Sequence, residues 1–217
     1  MGCGSGSWVM EMAIENPEAR VTGIDMADIF PTTIRPENVR FEIVNILDGL
    51  PFEDNTFDLV HMRLLVAALR VNEWPRVLNE IHRVLKPGGL VELVESDFTE
   101  TEQSPKIRRF ISAFLETMQE RQQDPWISRK LSTLLQDSSF EVLQDELKEI
   151  HFGPDQNAIA TEILWGWKEA MKTLKPLLSA KLCPNNEDYI ALVDDYIKDC
   201  IENRWFVRCV AASGRKI

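Results

Sequence analysis

The sequence is poor in the residues that build metal centres, disulfide frameworks and nucleic-acid surfaces. Its 217 residues include four cysteines and three histidines. They show no CxxC pair and no zinc-type spacing, so we expect no metal site and free thiols in a reducing compartment. Lys and Arg number 24 against 35 Asp and Glu, a net charge of −11. A nucleic-acid binder needs a basic patch, so we expect no nucleic-acid partner.

Long apolar segments are lacking as well. No apolar run reaches the ~18 residues of a membrane span, and the first residues do not show the basic and then apolar pattern of a signal peptide. We therefore expect no membrane partner and a cytoplasmic location. The nucleus stays open, because no basic localisation cluster decides the question. The composition, 44% hydrophobic and 27% charged, is that of a globular protein.

The first half of the chain alternates predicted helices and strands. The predicted helices are 8–14 and 74–85, and the predicted strands are 20–25, 38–44, 57–62 and 90–95. The helix from Trp74 is the clearest, because apolar residues recur along it at helical spacing. Strands that alternate with helices predict an α/β fold with a doubly wound, mostly parallel sheet.

The second half is predicted to be mainly helical. Helices are expected within 105–135, 158–178 and 188–202, and strands at 141–152 and 205–212. Length and the lack of an obvious linker predict a single domain over residues 1–217. We expect a cofactor-binding half at 1–97, a helical cap with a sheet edge at 98–204, and a last strand within 205–217.

A glycine-rich turn opens the first predicted helix and is the clearest chemical signal. It reads Gly2-Cys3-Gly4-Ser5-Gly6-Ser7. Backbone N–H groups and the helix dipole favour an anionic group at such a turn, and glycine lets a ligand approach the backbone closely. Asp25 ends the next strand, where a carboxylate can accept hydrogen bonds from ribose hydroxyls. Together they predict a nucleoside-containing cofactor at the carboxyl ends of the strands.

The glycine spacing distinguishes between cofactors. The dinucleotide fingerprint is GxGxxG, whereas this turn is GxGxG with Ser7 in the position of the third glycine. A nicotinamide oxidoreductase is therefore the disfavoured alternative. The turn resembles motif I of class I S-adenosylmethionine-dependent methyltransferases. Further segments resemble that family's later motifs in order: 21–25, 45–52, 55–61 and 74–89. Residues 61–65 are similar to fungal methyltransferases of the velvet-complex regulator type.

This resemblance implies a Rossmann-like fold with S-adenosylmethionine as the cofactor. The cofactor-site residues that it implies are Gly2, Cys3, Gly4, Gly6, Asp25, Met26, Asn45, Ile46 and His61. The glycine turn would face the methionine part of the cofactor, Asp25 the ribose and Met26 the adenine. Asn45 and Ile46 would lie at the adenine edge. The family commonly has an acid where this chain has Asn45, whose amide oxygen can still accept a hydrogen bond.

Three residues are candidates for contact with the methyl acceptor. His61 is the candidate general base, because its ordinary pKa is near neutrality; the alternative is a histidine that only packs beside the cofactor. Glu95 follows the fifth strand of the family pattern and either touches substrate or is a solvated strand end. Trp165 and Trp167 cannot share a helix face. One is expected in the core and the other, taken as Trp165, in the acceptor pocket.

One departure from the family pattern affects the functional prediction. The family has an apolar strand and an acid before motif I, whereas here Gly2 follows Met1 directly. We therefore expect a sheet that lacks its usual first strand, in a fragment or mis-started version of a longer methyltransferase. The predicted function is S-adenosylmethionine-dependent methyl transfer to an unknown small-molecule or protein acceptor. The alternative is a catalytically silent homologue that acts as a regulatory binding partner of another protein.

Overall fold

The computed structural model describes residues 1–31, 33–98, 104–155, 157–184 and 188–217. The helices are α1 (Ser7–Glu15), α2 (Trp74–Val84), α3 (Pro105–Glu120), α4 (Leu131–Asp137), α5 (Ala158–Thr173), α6 (Lys175–Leu182) and α7 (Tyr189–Glu202). The strands are β1 (Val21–Asp25), β2 (Val39–Ile43), β3 (Phe57–Arg63), β4 (Leu85–Asp97), β5 (Phe140–His151) and β6 (Phe206–Lys216). Short 3₁₀ turns lie at Ile46–Asp48 and Ile127–Lys130. The predicted α/β fold is confirmed.

The strands form two hydrogen-bonded sheets. β1 pairs in parallel with β2, and β3 pairs in parallel with β4 in a four-stranded sheet of order β3-β4-β6-β5. The first residues of the chain contact both sheets. The Met1 amino group donates a hydrogen bond to the His61 carbonyl at 2.6 Å, and the Cys3 N–H donates to the Ile24 carbonyl at 3.0 Å. The glycine turn is thereby fixed between β1 and β3.

Helix α2 shows how the apolar pattern determines the local structure. Its apolar residues recur every three or four positions and are fully buried: Trp74, Val77, Leu78, Ile81 and Val84. This periodicity gives the helix one buried face. Pro75 lies in its first turn, where a missing N–H costs nothing.

Strand β4 and the helix predicted over 158–178 differ from the prediction. Strand β4 begins at Leu85, before the Lys86–Gly89 turn, because Leu85 already pairs with Phe57 of β3. The turn is accommodated as an irregularity in the β3–β4 ladder, with Gly88 at φ 76°. The helix predicted over 158–178 is two helices, α5 and α6. The second restarts at Lys175 with Pro176 in its first turn, and proline cannot supply the N–H that a continuous helix would need.

The chain divides into two compact units, both discontinuous in sequence. The first consists of Met1–Glu95, Lys130–Glu146 and Ala211–Ile217, and the second of Ser96–Arg129 and Leu147–Val210. The linear division into 1–97, 98–204 and 205–217 stays a prediction. Within the part of the chain that the structure describes, no helix is long and apolar enough to cross a membrane.

Aromatic side chains build the interior of the second unit. Phe98 contacts both Phe114 and Trp167, with ring centroids 4.9 Å and 5.1 Å away. The Trp167 indole N–H donates to the Tyr196 hydroxyl at 3.0 Å, and Tyr196 stacks on Phe110 at 4.2 Å. These contacts orient α3, α5 and α7 within this unit.

Candidate cofactor site

The glycine turn adopts the backbone conformation that its sequence predicts. Gly2, Gly4 and Gly6 have φ angles of 61°, 52° and 79°, in the left-handed region that favours glycine. Gly6 is the N-cap of α1, and no side chain caps this helix end. The first amides of α1 therefore keep their capacity to bind an anionic group, such as a carboxylate.

Asp25 lies beside this turn at the end of β1. One carboxylate oxygen, Oδ2, accepts a hydrogen bond from the Gly4 N–H at 2.8 Å, and Oδ1 accepts one from the Ala27 N–H at 3.0 Å. Each oxygen retains a second lone pair, so the carboxylate can still accept from two neighbouring hydroxyls. The structure thus brings Asp25 and the glycine turn together, as the sequence predicts.

A phenylalanine that the sequence analysis did not select supports the glycine turn. A Cβ on Gly6 would lie 2.5 Å from the Phe41 ring, and one on Gly23 would lie 2.7 Å from it. Phe41 in turn stacks on Phe30, with ring centroids 5.0 Å apart. A Cβ on Gly4, by contrast, would meet nothing within 4 Å. One side of the turn is therefore packed on Phe41, and the other is open for a ligand at Gly4.

Exposed apolar side chains follow the carboxyl ends of β1 and β2. Met26 is 73% exposed and Ile43 is 60% exposed. The Asn45 side-chain oxygen accepts from the Leu47 N–H at 3.1 Å, and its amide donates to the Asp48 carboxylate at 2.9 Å. Asn45 thus caps the 3₁₀ turn that Ile46 begins.

These groups fit the parts of S-adenosylmethionine. An uncapped helix end suits the amino-acid carboxylate, the Asp25 oxygens suit two ribose hydroxyls, and exposed apolar side chains suit the adenine ring. The open side of Gly4 leaves room for close approach to the backbone. The Cys3 thiol lies close to Gly23, 3.1 Å from the position of its would-be Cβ, and faces the strand. Cys3 therefore contributes to the turn's packing.

His61 lies within β3 rather than at its end, because the ladder with β4 continues to Arg63. Its side chain is 10% exposed. Nδ1 is 2.7 Å from a carboxylate oxygen of Glu92, and the ring stacks on Trp8 at 3.9 Å. Nε2 is buried and has no hydrogen-bond partner among the residues described. Burial lowers the pKa of His61, against the opposing effect of Glu92, and this shift favours the neutral ring.

Glu95 is fully buried rather than solvated at a strand end. Its oxygens accept hydrogen bonds from the Leu65 N–H at 2.7 Å and the Val66 N–H at 3.1 Å. Burial raises the pKa of Glu95 to about 8, although the two amide donors oppose the shift. This geometry favours a contact with the turn after β3 over a contact with substrate.

The two tryptophans of α5 face different surroundings, as their spacing predicts. Trp167 packs in the aromatic interior of its unit. Trp165 is 66% exposed. Its place in an acceptor pocket stays a prediction.

Comparison with known protein families identifies the domain. Residues 1–89 match the model of a methyltransferase domain. The predicted resemblance to methyltransferases is thereby confirmed, and S-adenosylmethionine is the cofactor that this resemblance supports. The matched range contains the glycine turn, Asp25, Asn45 and His61.

Fungal methyltransferases are similar to the chain beyond this range. Methyltransferase str2 of Strobilurus tenacellus is 33% identical over 155 residues, which are 70% of this chain and 53% of the relative. Secondary metabolism regulator laeA of Coprinopsis cinerea is 38% identical over 98 residues, which are 45% of this chain and 24% of the relative. The chain spans about half the length of the first curated relatives that it matches, or less.

Solved structures share the fold of this chain. The [4+2]-cyclase SpnF matches with a TM-score of 0.59 and 20% identity over 99% of this chain and 72% of that chain. Phosphoethanolamine N-methyltransferase 2 of Haemonchus contortus, in complex with S-adenosylhomocysteine, matches with a TM-score of 0.58 and 20% identity, over 99% and 47%. One of these proteins is named as a cyclase and the other as a methyltransferase, so the fold alone does not define the reaction.

Proposed function

We propose that this chain is an S-adenosylmethionine-dependent methyltransferase that acts on a small-molecule or protein acceptor. The observation that carries the proposal is the hydrogen bond from the Gly4 N–H to Asp25, beside the uncapped start of α1. This hydrogen bond places a helix end that can bind a carboxylate next to an acid that can bind two hydroxyls. A nucleoside that bears an amino acid requires both.

Each residue of the site then has a defined task. The glycine turn and the first amides of α1 bind the amino-acid end, and Asp25 orients the ribose. Met26 covers the adenine, while Asn45 and Ile46 lie at its edge. The bound cofactor supplies an activated sulfonium methyl, so the protein mainly has to align the acceptor, an effect of ~7–11 kcal/mol at most.

His61 is the proposed base where the acceptor atom still carries a proton. The lowered pKa of His61 favours the neutral ring, and Nε2 is the atom without a hydrogen bond within the described part of the chain. Glu92 on Nδ1 fixes the ring orientation and stabilises the ring after it gains a proton. Stacking on Trp8 ties this ring to the helix that follows the glycine turn.

The relatives' names specify no methyl acceptor. Str2 is named as a methyltransferase and laeA as a regulator of secondary metabolism. We therefore propose no narrower acceptor than a small molecule or a protein side chain.

Calorimetric titration with S-adenosylhomocysteine tests cofactor binding. The wild-type chain should bind at micromolar strength and melt at a higher temperature with ligand. Asp25→Ala should weaken binding about 100-fold, since two hydrogen bonds from the ribose lose a charged acceptor. Asp28→Ala, an exposed acid three residues further on, is the matched control and should bind as the wild type does.

Two results would oppose the proposal. A folded wild-type chain that does not bind would reject the cofactor site, and equal binding by Asp25→Ala would reject its assigned geometry. Binding without methyl transfer to any of a panel of small-molecule and protein acceptors would instead favour the silent regulatory homologue.

A further inference from the structure

The turn after β3 has an unusual conformation that points two amides at one carboxylate. Leu64 has φ 57°, in a region that non-glycine residues rarely adopt. Its N–H donates to the Val94 carbonyl at 3.0 Å, which anchors the turn to β4. The next two N–H groups, of Leu65 and Val66, then donate to Oε1 and Oε2 of Glu95.

The carboxyl group that receives them is costly to bury, above all in its ionised form. Glu95 is fully buried, and the donors that the structure shows for it are two backbone amides rather than a lysine or arginine. A buried acid without a cationic partner is destabilising unless its hydrogen bonds are in place. Glu95 therefore restricts where the backbone of Leu65 and Val66 can lie.

The side chain of Leu65 connects this restrained backbone to the glycine turn. A Cβ on Gly2 would lie 2.7 Å from Leu65 Cδ2, so the leucine packs directly against the backbone of the first glycine. Gly2 has φ 61°, and its neighbour Cys3 donates to the β1 carbonyl of Ile24. Leu65 thus supports the turn from the β3 side while β1 holds it from the other.

We propose that Glu95 is a positioning residue of the cofactor site: through the amides of Leu65 and Val66 it holds Leu65 against Gly2 and so fixes the glycine turn. The inference rests on the proposed function, because it assumes that the cofactor binds at this turn. It gives Glu95 a role that does not involve contact with substrate or cofactor.

The test uses two substitutions and their combination in the full chain. Glu95→Gln keeps the side chain's shape but replaces one acceptor oxygen by an NH₂ group, which cannot accept from an amide. Leu65→Ala removes the side chain that packs against Gly2 and keeps the Glu95 carboxyl group. Val91→Ala is the control, because Val91 is buried on the same face of β4 and makes no hydrogen bond to the turn through its side chain.

Binding of S-adenosylhomocysteine and amide hydrogen exchange are measured under conditions in which every variant is folded. Glu95→Gln and Leu65→Ala should each raise Kd about tenfold, which corresponds to ~1.4 kcal/mol. The double variant should raise it no further, because Glu95 acts through Leu65. Amide hydrogen exchange at residues 2–6 should be faster in Glu95→Gln than in the wild type. Val91→Ala should match the wild type in both measurements.

The possible failures are distinguishable. If the wild type binds and folded Glu95→Gln binds equally well, Glu95 does not position the turn. If the effects of Glu95→Gln and Leu65→Ala on Kd add fully in the double variant, Glu95 does not act through Leu65. If the folded wild type does not bind at all, the proposed function fails and this role fails with it. The exchange rates at residues 2–6 then still show whether Glu95 restrains the turn.

Discussion

The buried Glu95 carboxyl predicts a pH dependence of stability that is opposite to that of an ordinary salt-bridged acid. Its pKa is raised from an ordinary 4.5 to about 8 in the folded chain. The unfolded chain releases this proton near pH 4.5, whereas the folded chain keeps it until about pH 8. Between these values the folded state binds more protons, so the free energy of unfolding falls as pH rises.

The magnitude follows from the two pKa values. Their difference corresponds to ~5 kcal/mol of stability that is present below pH 4.5 and lost by the time pH has passed 8. This is a large share of the ~5–15 kcal/mol that typically stabilises a domain. Hydrogen bonds from the amides of Leu65 and Val66 favour the ionised form of Glu95, and their strength therefore determines how much stability is lost at high pH.

Urea unfolding of the wild type and Glu95→Gln at pH values from 5 to 9 measures this effect. Glutamine resembles the protonated acid and does not titrate, so its stability curve should be flatter over this range. The loss in free energy of unfolding caused by Glu95→Gln, relative to the wild type, should be smaller at pH 9 than at pH 5. Parallel curves for the two proteins would show that Glu95 titrates in the folded chain near its ordinary value, which would refute the reasoning.

Three further predictions concern other parts of the first unit. Burial lowers the pKa of His61, so the contribution of His61 to stability should fall on acidification from pH 7 to 5, because the unfolded state gains a proton that the folded state excludes; in thermal melts the Tm difference between the wild type and His61→Gln should therefore shift against the wild type at pH 5. Hydrogen bonds from Arg83 lower the pKa of Glu80 to about 2, so its stabilisation is present above pH 4.5 and lost as pH falls toward 2, and Glu80→Gln should lower Tm at pH 7 more than at pH 3. Gly6→Ala would place a Cβ 2.5 Å from Phe41, whereas Gly4→Ala meets nothing within 4 Å; both incur ~1–2 kcal/mol of backbone strain, but Gly6→Ala should lower Tm further.

The elements with strong periodicity could be predicted from the sequence. The buried face of α2 follows from apolar spacing alone, and the glycine turn with Asp25 follows from a motif with a physical reason for each residue. The break between α5 and α6 was missed because the apolar pattern continues past Pro176. Whether a proline interrupts a helix or starts a new one depends on the packing on both sides, which a local pattern does not contain.

Contacts that join distant segments could not be predicted in the same way. Glu95 and Leu65 are 30 residues apart, and Phe41 reaches Gly6 across a strand. The sequence shows an acid after an apolar strand, and that pattern fits a solvated end, a substrate ligand and a buried acceptor equally well. Only the register of β3 against β4 places Val94 opposite Arg63, and therefore Glu95 beside the turn that follows.

The same register determines which side chains are free to act on an acceptor. It sets His61 opposite Glu92, so the ring's Nδ1 is occupied and only Nε2 is left to exchange a proton. It also directs Glu95 to backbone amides, so this acid cannot also serve as the base. Of the two titratable groups that the sequence offered for contact with the methyl acceptor, the strand pairing therefore leaves His61 as the one whose loss should change the pH profile of methyl transfer.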